Sequence, residues 1–198
     1  SQFMMQPPDF ETPDLSRLQV AGVGGAPCAL PIMERWAERG IEVAQGFGMT
    51  ETSPAAIFLD PADAMRKIGS TGKELMHTEA RIVTDDGEEA GPNEVGELWV
   101  RGPHITPGYW NRPDATAEAF SEDWLRTGDA AKRDDEGYYY IVDRWKDMYI
   151  SGGENVYPAE VENVIYQLPG IIEAAIVGVP DPKWGESGVA VVVLEPNS

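Results

Sequence analysis

Gly46-Phe47-Gly48-Met49-Thr50-Glu51-Thr52-Ser53-Pro54 (GFGMTETSP) packs an aromatic, a turn, a Thr-Glu pair and a proline into nine residues, directly after a short apolar segment. Val43-Ala44 read as the end of a strand, and Gly46 and Gly48 as the residues that let the backbone turn sharply out of it. Phe47 has no apolar partner at strand or helix spacing, so its ring can offer a flat face to a base. Thr50 carries a hydroxyl suited to a phosphate, and Glu51 a hard oxygen suited to Mg²⁺. A plain loop with a threonine cap and a solvated glutamate fits the same residues. The surroundings have to decide.

Upstream, RLQVAGV (Arg17–Val23) is strand-like, and Gly24-Gly25-Ala26-Pro27 turns the chain tightly. Leu30, Met33, Trp36 and Ala37 then recur at helical spacing, with Gly40 as the stop. IEVAQ (Ile41–Gln45) is the next strand, so the opening is a strand-helix-strand unit that delivers two glycine-rich loops. In doubly wound sheets ligands gather at the carboxyl ends of strands, where both loops fall.

Downstream of about Asp63 the chain changes to short strands broken by turns. EARIVT (Glu79–Thr84), GELWVRG (Gly96–Gly102), WLRTGD (Trp124–Asp129) and YYYIVD (Tyr138–Asp143) are separated by Asp86-Gly87, Gly91-Pro92 and Glu136-Gly137. Pro113 and Asp114 open a short helix, DATAEAF. GSTGK (Gly69–Lys73) imitates a phosphate loop, but that pattern needs a glycine where Lys67 stands, so it reads as a turn. After Arg144 the pattern changes again. Pro158 starts a helix with Glu160 and Glu162 in its first turn and Val161, Val164, Ile165 and Leu168 on one face. Pro169-Gly170 stops it, and Ile171–Val179 and Gly188–Glu195 follow as apolar strands.

These shifts predict a mixed α/β and α+β fold in three parts. Residues 1–62 read as an α/β part, 63–145 as a β-barrel-like subdomain, and 146–198 as the beginning of a separate, incomplete α+β domain. The 198 residues allow a buried core. The longest apolar run, Val189–Leu194, is far too short to span a bilayer, and no transmembrane segment is expected. A net charge of −19 disfavours nucleic acid and anionic membranes as partners. It leaves room for an anionic nucleotide, because charges beyond about 8 Å are largely screened and nearby Arg and Lys dominate. Cys28, the single cysteine, can form neither an internal disulfide nor a CxxC site; it reads as a small packed residue in a reducing, cytoplasmic compartment. His77 and His104 lack metal-ligand spacing and read as structural, and the tryptophans and tyrosines, GYW (Gly108–Trp110) included, as packing.

GFGMTETSP, GELWVRGPHITPGYW (Gly96–Trp110), LRTGD (Leu125–Asp129) and YIVDRWKDMYISGGENVYPAEVE (Tyr140–Glu162) together resemble, in order, the signatures of the acyl-adenylate-forming (AMP-binding) family. The resemblance runs from about Gly22 to about Glu195, and ISGGENVYPAEVE is most similar to the fatty-acid and related CoA-ligase branch. It implies an acyl-CoA synthetase that joins a carboxylic acid, a fatty acid being the expected one, to CoA. Mg-ATP first gives an acyl-adenylate, and CoA then displaces AMP. It also implies roles. Phe47 would stack on adenine, flanked by Gly46, Gly48 and Met49, while the backbone of Gly25, Ala26 and Pro27 lines the base. Thr50 would touch phosphate, Glu51 hold Mg²⁺, and Asp129 take the ribose hydroxyls. Arg144 would add a ribose contact beside Ile141. Lys146 matches the hinge, and Ser151, Gly152 and Gly153 a mobile loop that swings toward the pantetheine of CoA. The resemblance also implies that residues 1–62 are the distal part of the α/β subdomain of a large domain, 63–145 its β-barrel-like subdomain, and 146–198 the hinge and an incomplete C-terminal lid domain. The Asp129 role also stands unaided, since a carboxylate can accept two O–H bonds at once. Ile150 stands where some relatives carry a lysine and is given no role.

Two elements of the family pattern are not found in these residues: a Ser/Thr/Gly-rich phosphate loop ending in Lys, and a terminal Gly-Lys motif. The expectation is therefore a fragment of a longer enzyme, inactive in adenylation by itself. Luciferase-type oxygenases and carrier-loading adenylation domains are close alternatives within the resemblance. A non-catalytic binding module is the alternative from another class. Against the module stand Thr50, Glu51, Asp129 and Arg144, which a mere scaffold has no reason to combine.

Overall fold

The structure, a computed structural model, describes residues 14–18, 20–25, 28 and 30–195. Ala26 and Pro27 of the first glycine-rich turn lie outside the described residues. The chain opens as expected, with strand β1 (Ala21–Val23), helix α1 (Leu30–Glu38) and strand β2 (Val43–Gly48), the two strands parallel. Met33 and Trp36 are the buried side of α1, Trp36 packs against Ile41, and Gly40 leaves the helix at φ 72°. Strand β1 is shorter than Arg17–Val23, because Ser16 and Arg17 are spent in a turn closed by Leu18 N–H on Leu15 O. Strands β3 (Ala55–Phe58) and β4 (Lys73–Glu74) extend this sheet antiparallel, in the order β1-β2-β3-β4.

A second sheet contains β5 (Glu79–Val83), β6 (Gly96–Arg101), β7 (Phe120–Ser121), β8 (Trp124–Arg133) and β9 (Tyr139–Arg144), all antiparallel, with helix α2 (Pro113–Ala119) leading into β7. Strand β8 lies beside β6 on one side. Its other side is divided, β7 pairing its start and β9 its end, so the sheet curls into a half-barrel. Alternation puts Ile82, Leu98, Val100, Leu125, Ala131 and Tyr139 inside, where they meet Ala56 and Ile57 of β3 in one core. Each large apolar side chain fully buried there contributes roughly 1.5–3 kcal/mol.

GSTGK is the seam between the two sheets, and its hydroxyls serve that seam. Ser70 Oγ and Thr71 Oγ1 donate to the Tyr139 carbonyl at 2.8 and 3.1 Å, and Tyr139 N–H donates to Gly72 O at 2.8 Å.

The C-terminal part is a third sheet, β11-β10-β13-β12, built from β10 (Tyr149–Ser151), β11 (Glu154–Val156), β12 (Ile171–Asp181) and β13 (Gly185–Leu194). Helix α3 (Pro158–Ile165) packs on it, with only part of the face that the apolar spacing predicts turned inward: Val161 and Ile165 are half-buried, whereas Val164 and Leu168 are 62% and 55% exposed. Polar groups one helical turn apart also face β12. Glu162 accepts the Ile176 N–H at 2.8 Å, and Tyr166 Oη accepts the Ala174 N–H at 3.3 Å. No helix among the described residues is long and apolar enough to cross a membrane.

Candidate nucleotide site

A cavity of about 580 Å³ opens at the carboxyl ends of β1 and β2 and reaches the edge of the half-barrel. Its wall brings together Gly25, the run Gly46–Met49, Asp129, Ile141 and Arg144, with Ala159 and Glu160 of α3 on the far side. Its size is that of a small-molecule site.

The glycines of the first wall act differently from the expectation. Strand β2 does not end at Ala44 but runs to Gly48, and neither Gly46 nor Gly48 has a positive φ. What they supply is close approach. A Cβ on Gly48 would lie 1.9 Å from the Pro54 carbonyl oxygen, and one on Gly46 would lie 2.9 Å from the Phe58 ring. Nor is Phe47 without apolar partners, because it packs against the core cluster that contains Ala56 and Ile57 while also lining the cavity. Its partners come from β3 and the second sheet, which sequence spacing cannot reveal. Met49 and Ile141 likewise lie between core and cavity. Gly25 has φ 86° and open space around it.

The Thr-Glu pair lies in a single 3-10 turn, Thr50–Thr52, that follows β2 and is not part of the cavity wall. Thr52, fully buried, fixes this turn: its Oγ1 accepts the Met49 N–H at 2.9 Å, and its own N–H donates to Met49 O at 3.0 Å. Thr50 is left exposed. Glu51 is held from a distance in sequence. Its backbone oxygen accepts the Thr106 N–H at 2.8 Å, and its Oε1 accepts the Tyr109 hydroxyl at 2.7 Å. That bond to Glu51 is the main reason why the Tyr109 phenol is pushed above its ordinary pKa. Tyr109 is therefore more than packing. Neither Thr52 nor Tyr109 gave a sequence signal, since the first looks like one more loop threonine and the second lies in another motif.

Asp129 sits in β8 directly opposite Arg144 in β9, and Arg144 Nε lies 3.1 Å from its Oδ1. The Asp129 side chain is 8% exposed and that of Arg144 is 54% exposed. Burial pushes the Asp129 carboxyl up from 3.8 to about 6; Arg144 and the Thr127 hydrogen bond oppose this, and the charges of Glu97 and Asp143 add to it. The next carboxylate, Asp143, reaches across to α3, where its Oδ2 accepts the Ala159 N–H at 2.8 Å.

The remaining expected residues stand outside the cavity wall. Lys146 is exposed in a 3-10 turn, Trp145–Asp147, between β9 and β10. Ser151, Gly152 and Gly153 close the β10–β11 hairpin, with φ 61° and 91° at the two glycines, as a two-residue hairpin turn requires. Gly152 N–H donates to Trp184 O at 2.8 Å, so this turn is anchored on the β12–β13 hairpin. Cys28 is half-buried on the cavity wall, its N–H donating to Gln45 Oε1 at 3.0 Å.

The sequence matches the family profile described as "AMP-binding enzyme" over residues 2–110, and that of the "AMP-binding enzyme C-terminal domain" over residues 160–198. The chain belongs to the AMP-binding enzyme family. Among curated AMP-binding enzymes, a feruloyl-CoA synthase of an Amycolatopsis species is 48% identical over 186 residues, 94% of this chain and 38% of that protein. The long-chain-fatty-acid–CoA ligase FadD13 of Mycobacterium tuberculosis is 46% identical over 195 residues, 98% of this chain and 39% of that protein. The solved o-succinylbenzoate CoA synthetase (MenE) of Bacillus subtilis, in complex with its acyl-adenylate intermediate OSB-AMP, superposes with a TM-score of 0.85 at 42% identity. That match covers 91% of this chain and 37% of that one. The same synthetase has also been solved with ATP and magnesium ion. The chain thus spans less than two-fifths of the length of these relatives.

Proposed function

We propose that this chain is the nucleotide-holding portion of an ATP-dependent carboxylic acid–CoA ligase. The observation that carries the reading is one cavity in which the end of β2, the buried Asp129 and the half-exposed Arg144 meet. An ionised Asp129 accepts two ribose hydroxyls, and Arg144, already paired with it, adds a donor on the same edge. Phe47, fixed by the core behind it, presents its ring to the base, and the backbone of Gly25 and Gly46–Met49 approaches it closely. Thr50, exposed at the head of its turn, donates to a phosphate oxygen.

Among the described residues no group of three or more His, Cys, Asp or Glu is placed to hold a metal. A single carboxylate such as Glu51 nevertheless suits Mg²⁺, which keeps several waters and is completed by phosphate oxygens. Bound there, Mg²⁺ would neutralise charge on the phosphates. In the reaction proposed, a carboxylate oxygen attacks the α-phosphorus of ATP and pyrophosphate leaves. The CoA thiol then attacks the acyl carbon and loses its proton as AMP departs. Lys146 and the Ser151–Gly153 hairpin belong to the part proposed to reorient between the two steps, with residues 1–62, 63–145 and 146–198 as the units.

The test has two tiers. Titration of the chain with AMP or ATP reads the nucleotide site directly, and binding lost in Asp129→Ala supports it. Carboxylate-dependent pyrophosphate release by the whole protein, with thioester formation on adding CoA, reads the ligase. Release that never advances to a thioester would replace CoA by another acceptor, and no release with any acid would return the chain to a binding role.

A further inference from the structure

Glu97, the second residue of β6, is a carboxylate only 8% exposed, and the nucleotide reading makes no use of it. A buried carboxylate persists only where several donors satisfy it. Here there are three. Gly128 N–H donates to Oε1 at 3.2 Å, while Trp99 Nε1–H and Arg126 Nε–H donate to Oε2 at 2.8 and 3.1 Å. The Arg126 guanidinium also lies over the Trp99 ring, 5.6 Å from its centre, so the two donors on Oε2 support each other.

The position of this clamp in the ladder gives it a purpose. Strands β6 and β8 pair Gly96 with Ala131 and Glu97 with Ala130, then resume at Trp99 with Arg126. Between those points the single residue Leu98 faces three residues of β8: Thr127, Gly128 and Asp129. The two extra residues make a bulge, with Gly128 at φ 72°, and the bulge carries Asp129 into the cavity. A bulge leaves ladder groups unpaired, and here two side chains replace the missing partners. Glu97 takes the Gly128 N–H. Thr127 Oγ1 donates to Leu98 O at 2.7 Å and accepts the Asp129 N–H at 3.1 Å.

We propose that Glu97 is a positioning residue: by clamping the Thr127–Asp129 bulge to β6 it fixes the Asp129 carboxylate where a nucleotide ribose would meet it. This rests on the reading of Asp129 as the ribose acceptor, so the experiment separates the two. The chain is titrated with AMP and with 2′,3′-dideoxy-AMP, and the ratio of the two dissociation constants measures what the ribose hydroxyls contribute. Wild-type protein should prefer AMP on the order of tenfold or more, as charge-assisted hydrogen bonds imply, and Asp129→Ala should bring the ratio to about one. Glu97→Ala should lower the ratio severalfold while leaving the affinity for the dideoxy nucleotide within about twofold. Glu97→Gln keeps an oxygen for Gly128 but offers an NH₂ where Trp99 and Arg126 need an acceptor, and should fall between. A wild-type ratio in Glu97→Ala, or in Glu97→Gln where the alanine variant does not fold, overturns the inference. So does an equal loss of affinity for both nucleotides, which marks a merely structural role. A ratio of one in wild-type protein overturns the Asp129 reading itself, and the role of Glu97 with it.

Discussion

Asp129 and Arg144 are direct cross-strand partners in the β8–β9 pair, 3.1 Å apart, yet the arginine does not restore the aspartate to its ordinary acidity. Burial outweighs the ion pair because Arg144 is half in solvent, and the carboxyl titrates near 6 rather than 3.8. Adenosine, which carries the ribose hydroxyls but no phosphate that titrates near pH 6, should therefore bind with steady affinity at pH 7–8 and more weakly below about pH 6, as protonation removes an acceptor. Asp129→Asn should bind adenosine about tenfold or more weakly at pH 7.5 and lose that pH dependence. Calorimetric titration at pH 5, 6 and 7.5 checks both. A wild-type affinity flat across that range would remove the ionised carboxylate from the binding account.

The same shift has a signed effect on folding. A carboxyl whose pKa is raised in the folded state contributes stability below the unfolded value of 3.8 that is lost as pH rises through about 6. At pH 7 the folded chain holds a charge that it would rather not bury, at a cost of order 1–3 kcal/mol. Asp129→Asn should thus gain stability relative to wild type between pH 4.5 and 7.5. Urea midpoints of the two proteins, compared at both pH values, measure it, and a difference that does not change with pH contradicts the argument.

Tyr109 and Glu51 are 58 positions apart, and their 2.7 Å bond holds the carboxylate that we propose binds Mg²⁺. Tyr109→Phe removes a single hydrogen bond on an exposed side chain, so the fold should hold. A net loss of about 0.5–1.5 kcal/mol corresponds to a two- to tenfold fall in Mg-ATP affinity. Binding of AMP without magnesium should stay unchanged. Equal losses for the two ligands would mean that the tyrosine shapes the pocket rather than the glutamate.

Gly48 tests close approach against turn-making. An alanine Cβ at this position would overlap the Pro54 carbonyl, which is backbone and cannot rotate away. Gly48→Ala should destabilise the chain by about 2 kcal/mol or more and separate the β2 end from the turn that carries Glu51. Chemical denaturation reads the first effect and nucleotide titration the second. A variant with wild-type stability and affinity would show that this backbone contact is dispensable.

What the sequence disclosed and withheld follows from the range of each interaction. The strand-helix-strand opening was legible because Leu30, Met33 and Trp36 repeat within one helix and Gly40 punctuates it. The half-barrel strands were legible because alternation and turn residues are local too. The local sequence shows no apolar partner for Phe47 because its partners arrive from other strands. The apolar stripe of α3 is only half used, with Val161 and Ile165 half-buried and Val164 and Leu168 exposed, because Glu162 and Tyr166 bond to β12. In the cavity, the nominated residues on β2, β8 and β9 meet, whereas Thr50, Glu51, Lys146 and Ser151–Gly153 stand off its wall. Thr52, Tyr109, Glu97 and Thr127 lie inside the quoted motifs, but nothing local says which group each one bonds to.

Asp143 links that cavity to the C-terminal part. Tyr157, at the N-cap of α3, provides no side-chain cap, and Asp143 supplies the missing acceptor from β9, taking the Ala159 N–H at 2.8 Å. A carboxylate at a helix N-terminus also meets the positive end of the helix dipole, and such caps contribute about 0.5–2 kcal/mol. The cap here is borrowed from the strand that bears Arg144, so it also pins α3 to the rim of the cavity. Asp143→Ala should speed amide hydrogen exchange in residues 159–165 by about five- to thirtyfold, the equivalent of 1–2 kcal/mol, and leave the β5–β6 pair unaffected. Asp143→Asn keeps a neutral acceptor and should lie between. Uniform acceleration across both regions would mean global destabilisation instead, and no acceleration in α3 would mean that the helix is held by its contacts with β12 alone.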